Sequence, residues 1–243
     1  MPDFTLLHTN DHHNHFTEAH SARLSLERAE LGSNGLLLDA GDAVGSGNVT
    51  FRPGGEPVLD LMNAAGYDAM TIGNREFHFS RVGFQTKISR ANFPVLCANV
   101  RPKDGGEPLT VPSVSFSSGG KRIVIFGLTV PMITERMLVR KVSAFVFDDP
   151  LAIGKELAQK LRPEADLLIC LSHIGLKKDR ALAEATPEID LIIGGHTHAT
   201  LPEGERVGNT LIVQAGSFSK LLGTVDINWT EGAPSLTANL RPL

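Results

Sequence analysis

The chain has 243 residues, 42% hydrophobic and 21% charged, enough to bury a full core within one domain. A formal charge of −4 provides no basic field for a nucleic-acid polymer, and no apolar run approaches the roughly 18 residues of a membrane span. No basic leader with an apolar core opens the sequence, so a single cytoplasmic domain over residues 1–243 is expected, with no membrane partner and the oligomeric state open.

Residues 4–8 (Phe4-Thr5-Leu6-Leu7-His8) are strand formers, and Thr9-Asn10-Asp11 breaks the run. A first strand therefore ends where Asp11-His12-His13-Asn14-His15 begins. Residues 17–31 space Ala19, Ala22, Leu24, Leu26, Ala29 and Leu31 among charges, an imperfect amphipathic helix with Thr17 as cap. Residues 35–40 are a nearly continuous apolar run between glycines, the mark of a strand buried on both faces, and Gly41-Asp42 follows. The Gly-rich loop over 43–55 lacks a Lys-Ser/Thr ending and is no phosphate-cradling P-loop. Helix is expected over 56–65, closed by Gly66, then strand over 68–72. A helix over 80–90 capped by Ser80 and a strand over 93–98 complete an alternation that predicts right-handed βαβ units.

Farther on the pattern changes. Period-2 runs over 111–117 and 122–128, joined through Gly119-Gly120, predict a hairpin. Residues 129–147 carry no assignable element. Asp149-Pro150 opens a helix to residue 161, with proline at its first turn. Strands over 165–171 and 190–193 run into Ser172-His173 and Gly194-Gly195-His196-Thr197-His198. Residues 210–214, 220–229 and 235–240 alternate as antiparallel strands. Cys97 and Cys170 lie in apolar strands without Cys-x-x-Cys spacing, so both are expected to be structural thiols.

Several strand ends thus carry carboxylate, amide or imidazole donors, which is how an α/β sheet delivers ligands to one edge. A phosphoester is attacked slowly because its oxygens repel hydroxide, and two cations about 3.5–4 Å apart remove that repulsion. Such a pair needs one shared anion and a mixed donor set. Asp11 and His13, two residues apart, would face one side of a strand end that stays extended, with His198 completing the first metal's sphere. Asp42 would bridge, and Asn74, His173 and His196 would hold the second metal.

In order and form, Leu7-His8-Thr9-Asn10-Asp11-His12-His13, Gly41-Asp42, Gly73-Asn74-Arg75-Glu76, Ser172-His173 and Gly194-Gly195-His196-Thr197-His198 resemble the calcineurin-like metallophosphoesterases. They are most similar to the catalytic domain of the bacterial 5′-nucleotidase and 2′,3′-cyclic phosphodiesterase branch. Val213-Gln214-Ala215-Gly216 and Lys220-Leu221-Leu222-Gly223 extend the likeness, which spans residues 5–223. The resemblance implies a four-layer α/β/β/α sandwich with mixed sheets and a dinuclear metal site. It also implies hydrolysis of a small phosphomonoester or cyclic phosphodiester, with a nucleotide among the candidates. Manganese is the first expectation for an oxygen-rich set free of thiolate, with iron and zinc as alternatives.

The chain departs from the family in two places. Where the family has Gly-Asn-His-Glu, with a histidine beside the scissile phosphate, this chain has Arg75. The position of the Asp that orients that histidine in nucleotidases holds His78. Asn74, Arg75 and His78 form the expected catalytic set. Arg75 can bind a phosphate oxygen bidentately but keeps its proton at working pH and is no general acid. Two divalent cations, two carboxylates, a hydroxide and Arg75 leave a charge of about +2, matching a phosphomonoester dianion. The nucleotidases' C-terminal nucleotide-binding domain is expected to be absent, and no aromatic clamp can be named.

The altered motif motivates an alternative, a metal-binding but catalytically weak or idle module that binds a nucleotide or a protein. A metal-dependent amidase is disfavoured because no His-Glu-x-x-His helix occurs. His8, His12 and His15 read as structural or supporting residues and His20 as an exposed helical one. Asp39 reads as a loop-capping carboxylate and Glu76 as a helix N-terminal or hydrogen-bonding residue.

Overall fold

A strand covered on both faces has no polar side, and the leucine runs of this chain build its centre for that reason. The computed structural model describes residues 1–230 and 233–243. Its first half is β1 (Phe4–Thr9), α1 (Glu18–Leu31), β2 (Gly35–Asp39), α2 (Val58–Ala65), β3 (Ala69–Thr71), α3 (Arg81–Ile88) and β4 (Val95–Leu96). Then come β5 (Val100–Pro102), β6 (Ser113–Ser118), β7 (Lys121–Thr129), β8 (Phe145–Phe147), α4 (Pro150–Leu161), β9 (Leu167–His173) and α5 (Leu176–Ala185). The chain ends through β10 (Leu191–Gly194), β11 (Glu205–Val207), β12 (Thr210–Val213), β13 (Leu221–Asn228) and β14 (Ser235–Pro242).

One sheet runs β14-β13-β1-β2-β3-β4 and the other β11-β12-β10-β9-β7-β6, with β5 and β8 as a separate ribbon. Alternate side chains divide the core into layers. Leu6, Leu36 and Leu38 meet Ile125, Ile169 and Ile193 between the sheets. Leu7 and Leu37 point outward beneath Leu24 of α1 and Leu59 and Met62 of α2. On the far side Phe126, Leu168 and Ile192 pack under Ala158 of α4 and Leu182 of α5. Each such buried side chain contributes about 1.5–3 kcal/mol, and the product is the expected four-layer α/β/β/α sandwich with mixed sheets.

Most helix ends follow their local chemistry. Asp149 Oδ1 accepts from the Ala152 N–H at 2.9 Å ahead of Pro150, and Ser80 caps α3. Gly119 and Gly120 have φ of 57° and 78°, the two positive values a two-residue type I′ turn requires. His20 differs from expectation: it is half-buried, and its Nδ1 accepts from the Thr17 N–H at 3.2 Å to close a capping box. α2 starts two residues late because Glu56 is drawn into the preceding loop, where it accepts from Ser46 Oγ at 3.0 Å.

Three further expectations need correction. β12 lies parallel to β10 and antiparallel to β11, because alternation along a strand carries no information about the direction of its partner. Residues 129–147 do contain a strand, β8, paired with β5 through Val100 and Phe147. Three-residue strands are too short to show a period. α5 has no counterpart in the sequence expectations; its buried face is Asp179, Leu182 and Ala183, a carboxylate and a small residue where periodicity seeks large apolar ones.

Candidate metal centre

Loops from both sheets meet at one edge, tied first by backbone. The N–H groups of Asp11, His13 and Asn14 donate to the carbonyls of Gly41, Asp42 and Ala43, each at 2.9 Å, zipping the loop after β1 to the loop after β2. A Cβ on Gly41 (φ 90°) would lie 2.5 Å from Gly73 N, and one on Gly73 would lie 2.2 Å from Asp42 Oδ1. Only glycine permits the loop after β3 to approach so closely. Glu76, fully buried, accepts from the N–H groups of Gly73 (2.7 Å), Asp42 (2.9 Å) and Val44 (3.1 Å). Of the two roles expected for it, it takes the hydrogen-bonding one and clamps two loops together, while α3 begins only at Arg81.

The zip forces unusual backbone. Asp11, His13, Asp42, His196 and His198 have φ of 53°, 49°, 58°, 72° and 54°. A non-glycine residue held there costs about 1–3 kcal/mol, and such residues gather at functional sites. The strand end therefore does not stay extended: Asp11 and His13 share a side because left-handed residues curl the chain, not because side chains alternate.

The side chains converge. Asp11 Oδ1 lies 3.6 Å from His13 Nε2 and 3.3 Å from His198 Nε2, and the two imidazole nitrogens are 3.0 Å apart. Asp42 Oδ1 is 3.5 Å from His173 Nε2, while its Oδ2 is 4.0 Å from His13 Nε2. Ligand-capable atoms lie within 4.8 Å of one another in each of two sets, one of Asp11, His13 and His198 and one of Asp11, Asp42 and His173. Asp11 faces both groups. Asn74 Oδ1 and His196 Nδ1 form a neighbouring pair at 2.9 Å, and the His196 ring is 5.3 Å from that of His173.

Two buried atoms at the centre, Asp11 Oδ1 and His173 Nε2, have no hydrogen-bond partner, a cost of about 1–3 kcal/mol each unless another group satisfies them. Burial opposes the charge on Asp42, yet His173 and the Arg75 N–H at 2.7 Å hold its carboxyl below the usual range. Burial likewise opposes the charge on His173, but Asp42 and Asp11 lift its pKa to about 10. His13 and His196 are lowered, first by burial. Carboxylates facing imidazoles with orphaned donor atoms fit a divalent cation, which would take the place of the His173 proton.

Arg75 lies half-buried beside this group, with Nη1 3.5 Å from Gly45 O and Nε buried without a partner. His78 is 4% exposed, accepts from the Ser80 N–H at 3.0 Å, stacks on Phe79 and meets Phe51 edge-on. Among the described residues no hydrogen bond joins it to Asn74 or Arg75. His12 bonds Ser219 Oγ (2.8 Å) and Tyr67 OH (3.0 Å), and Asp39 accepts from the Gly41 N–H (2.8 Å), so both support the loops.

Two contributors carry little sequence signal. Phe218, at φ 61°, sets its ring 5.4 Å from His13 and 5.6 Å from His198. Lys87 is fully buried on the core stripe of α3, where a charge among apolar positions was the available clue.

Residues 4–200 match the sequence model described as calcineurin-like phosphoesterase. The chain belongs to that family. It is 33% identical to the trifunctional nucleotide phosphoesterase protein YfkN of Bacillus subtilis over 94% of its length, and 30% identical to a 5′-nucleotidase of Vibrio cholerae over 98%. It spans 18% of the first relative and 51% of the second. Haemophilus influenzae NAD nucleotidase (NadN) superposes over 99% of this chain and 56% of its own, with TM-score 0.81 at 24% identity. Thermus thermophilus sulfate thiohydrolase SoxB gives 0.80 at 22%, over 100% and 57%. These two show a shared fold, which by itself selects no substrate. Calcineurin-like phosphoesterases imply divalent metals, and the Asp and His groups above are the candidates to hold them. Among the described residues no helix is long and apolar enough to cross a membrane.

Proposed function

We propose that the chain is a metal-dependent phosphoester hydrolase acting on a small phosphomonoester or cyclic phosphodiester, with nucleotides the first candidates. The supporting observation is the pair of buried, unpartnered atoms, Asp11 Oδ1 and His173 Nε2, aimed at the space shared with Asp42, His13 and His198. Asp11, His13 and His198 would hold one cation and Asn74, His173 and His196 the other, with Asp42, near both His173 and His13, as the ligand they would share. Manganese is the first choice for an oxygen-rich donor set without thiolate, ahead of iron and zinc. Two divalent cations bound there would draw charge from the phosphoryl oxygens and make a water nucleophilic at neutral pH.

The chain's own groups orient and stabilise. The Ala40 carbonyl accepts the Nδ1 proton of His173 at 2.6 Å, which leaves Nε2 as the donor atom. Asn74 steadies His196 through the 2.9 Å contact. Arg75, its N–H fixed on Asp42, offers its guanidinium to a phosphate oxygen as the water oxygen bonds to phosphorus and the ester P–O bond breaks. It protonates no leaving group, so esters with good leaving groups turn over fastest. His78, held by Ser80, shapes the turn that follows Arg75 without touching substrate. YfkN and the Vibrio cholerae 5′-nucleotidase make nucleotides the first natural substrates to assay.

Mono- and bis-nitrophenyl phosphate with added manganese, and an Asp42→Asn control, test this reading. Turnover that falls by about 100-fold or more in the control supports the hydrolase. Manganese binding without turnover of any ester would instead establish a binding module, the reading favoured by Arg75 standing where the family has histidine.

A further inference from the structure

α3 buries Gly83, Phe84 and Lys87 on one stripe, so a cation occupies a position where the helical period calls for an apolar side chain. An ammonium is tolerated in the interior only when its protons are satisfied. Lys87 Nζ donates to Arg75 O (2.6 Å), Gly47 O (2.7 Å) and Ser46 O (3.4 Å), which uses all three. The acceptors are backbone carbonyls from two segments on the Arg75 side of the centre. Among the described residues no carboxylate pairs with this ammonium; Glu76 and Glu56 act on it only at longer range.

A side chain needed only to fill space there would be apolar, since replacing a buried charge by a well-packed apolar group is often neutral or stabilising. What an ammonium does, and a methionine cannot, is draw carbonyls from two segments to one point. Arg75 is consequently held at both ends of its backbone, its N–H on Asp42 Oδ1 at 2.7 Å and its carbonyl on Lys87. The adjoining carbonyl of Gly45 reaches Arg75 Nη1 at 3.5 Å, so the 45–47 loop turns its oxygens on both cations.

We propose that Lys87 is a positioning residue for Arg75: it ties the 45–47 loop to the Arg75 turn and so sets where the guanidinium meets phosphate. Lys87 touches no substrate. Its effect on phosphate rests on the hydrolase reading above, whereas the tie itself does not.

The test compares the parent, Arg75→Ala, Lys87→Met and the double variant, all manganese-loaded, by calorimetric binding of inorganic phosphate, thermal unfolding and amide hydrogen exchange. Lys87→Met is expected to weaken phosphate binding about tenfold in the parent background and less than about twofold in the Arg75→Ala background. Lys87→Gln, which keeps two N–H donors, recovers part of the loss. Exchange of the N–H of residue 75, bonded to Asp42 Oδ1, accelerates in Lys87→Met and not in Arg75→Ala. Equal losses in both backgrounds, unchanged phosphate binding in Lys87→Met, or no phosphate binding by the parent overturns the assignment. So does failure of both Lys87 variants to fold, which would give the ammonium to stability alone. Ester turnover is read separately: its absence with the phosphate coupling intact removes the hydrolase and leaves Lys87 as the positioning residue.

Discussion

Glu76→Gln replaces one oxygen of the inter-loop clamp with an NH2 group. Glu76 Oε2 accepts from the N–H groups of Asp42 and Gly73, and Oε1 from that of Val44, which is fully buried. A glutamine has one acceptor oxygen. Turned toward Asp42 and Gly73, it sets its NH2 against the Val44 N–H; turned the other way, it orphans two donors instead of one. Losing a hydrogen bond to a charged acceptor costs about 1.5–3 kcal/mol, and an unsatisfied buried N–H about 1–3 more. The neutral amide gains something back, because burial and the Asp42 charge hold the Glu76 carboxyl above its ordinary range.

The net destabilisation worked from these contacts is about 2–4 kcal/mol, a large share of the 5–15 kcal/mol typical of a domain. Because the clamp also fixes the Asp42 backbone, manganese affinity should fall about 10- to 100-fold. Urea unfolding of metal-free protein and a manganese titration measure the two effects. A Gln variant that unfolds at the parent's urea midpoint and binds manganese within about twofold of it would show that the Glu76 carboxylate does not hold these loops.

His8 is fully buried against Gly223 with neither ring nitrogen hydrogen-bonded, and burial lowers its pKa from 6.5 to about 3. Above pH 6.5 it is neutral folded and unfolded; as pH falls from there toward 3 only the unfolded chain takes up the proton. Its contribution is therefore complete near neutrality and is lost on acidification, at about 1.4 kcal/mol per pH unit. His8→Leu should flatten the fall of stability between about pH 6 and 4 by that amount, measured by denaturant unfolding across pH; an unchanged slope would mean that native His8 protonates freely. Burial pushes the Cys97 thiol up to about 12 and that of Cys170 well above its usual value, and both are free. A disulfide reagent at about pH 8 should label neither thiol in the native protein and both after unfolding. Rapid labelling of either in native buffer would contradict that burial.

The candidate ligands were legible because their donors are local words in the chain. Asp11 and His13, Gly41-Asp42, Asn74, Ser172-His173 and His196 with His198 each follow an apolar run, and hydrophobic periodicity places such runs as strands. The role of Glu76 was legible in kind but not in partners, since Asp42 and Val44 lie more than 30 residues away along the chain. His78, in the expected catalytic set, has a contact that the set did not name: its Nδ1 is bonded by Ser80 as α3 begins. Lys87 could be flagged only as an anomaly, because its acceptors sit in a loop about 40 residues earlier.

Residue type and period, which act over a few neighbours, determined from sequence the buried strands, the turns that end them and the kind of atoms those turns present. The direction of β12, the left-handed backbone at Asp11 and His13, and the tie between Lys87 and the 45–47 loop were decided only in three dimensions. Each depends on hydrogen bonds between segments distant in sequence, and those bonds form only once strands pair with their neighbours and bring the loops that follow them side by side.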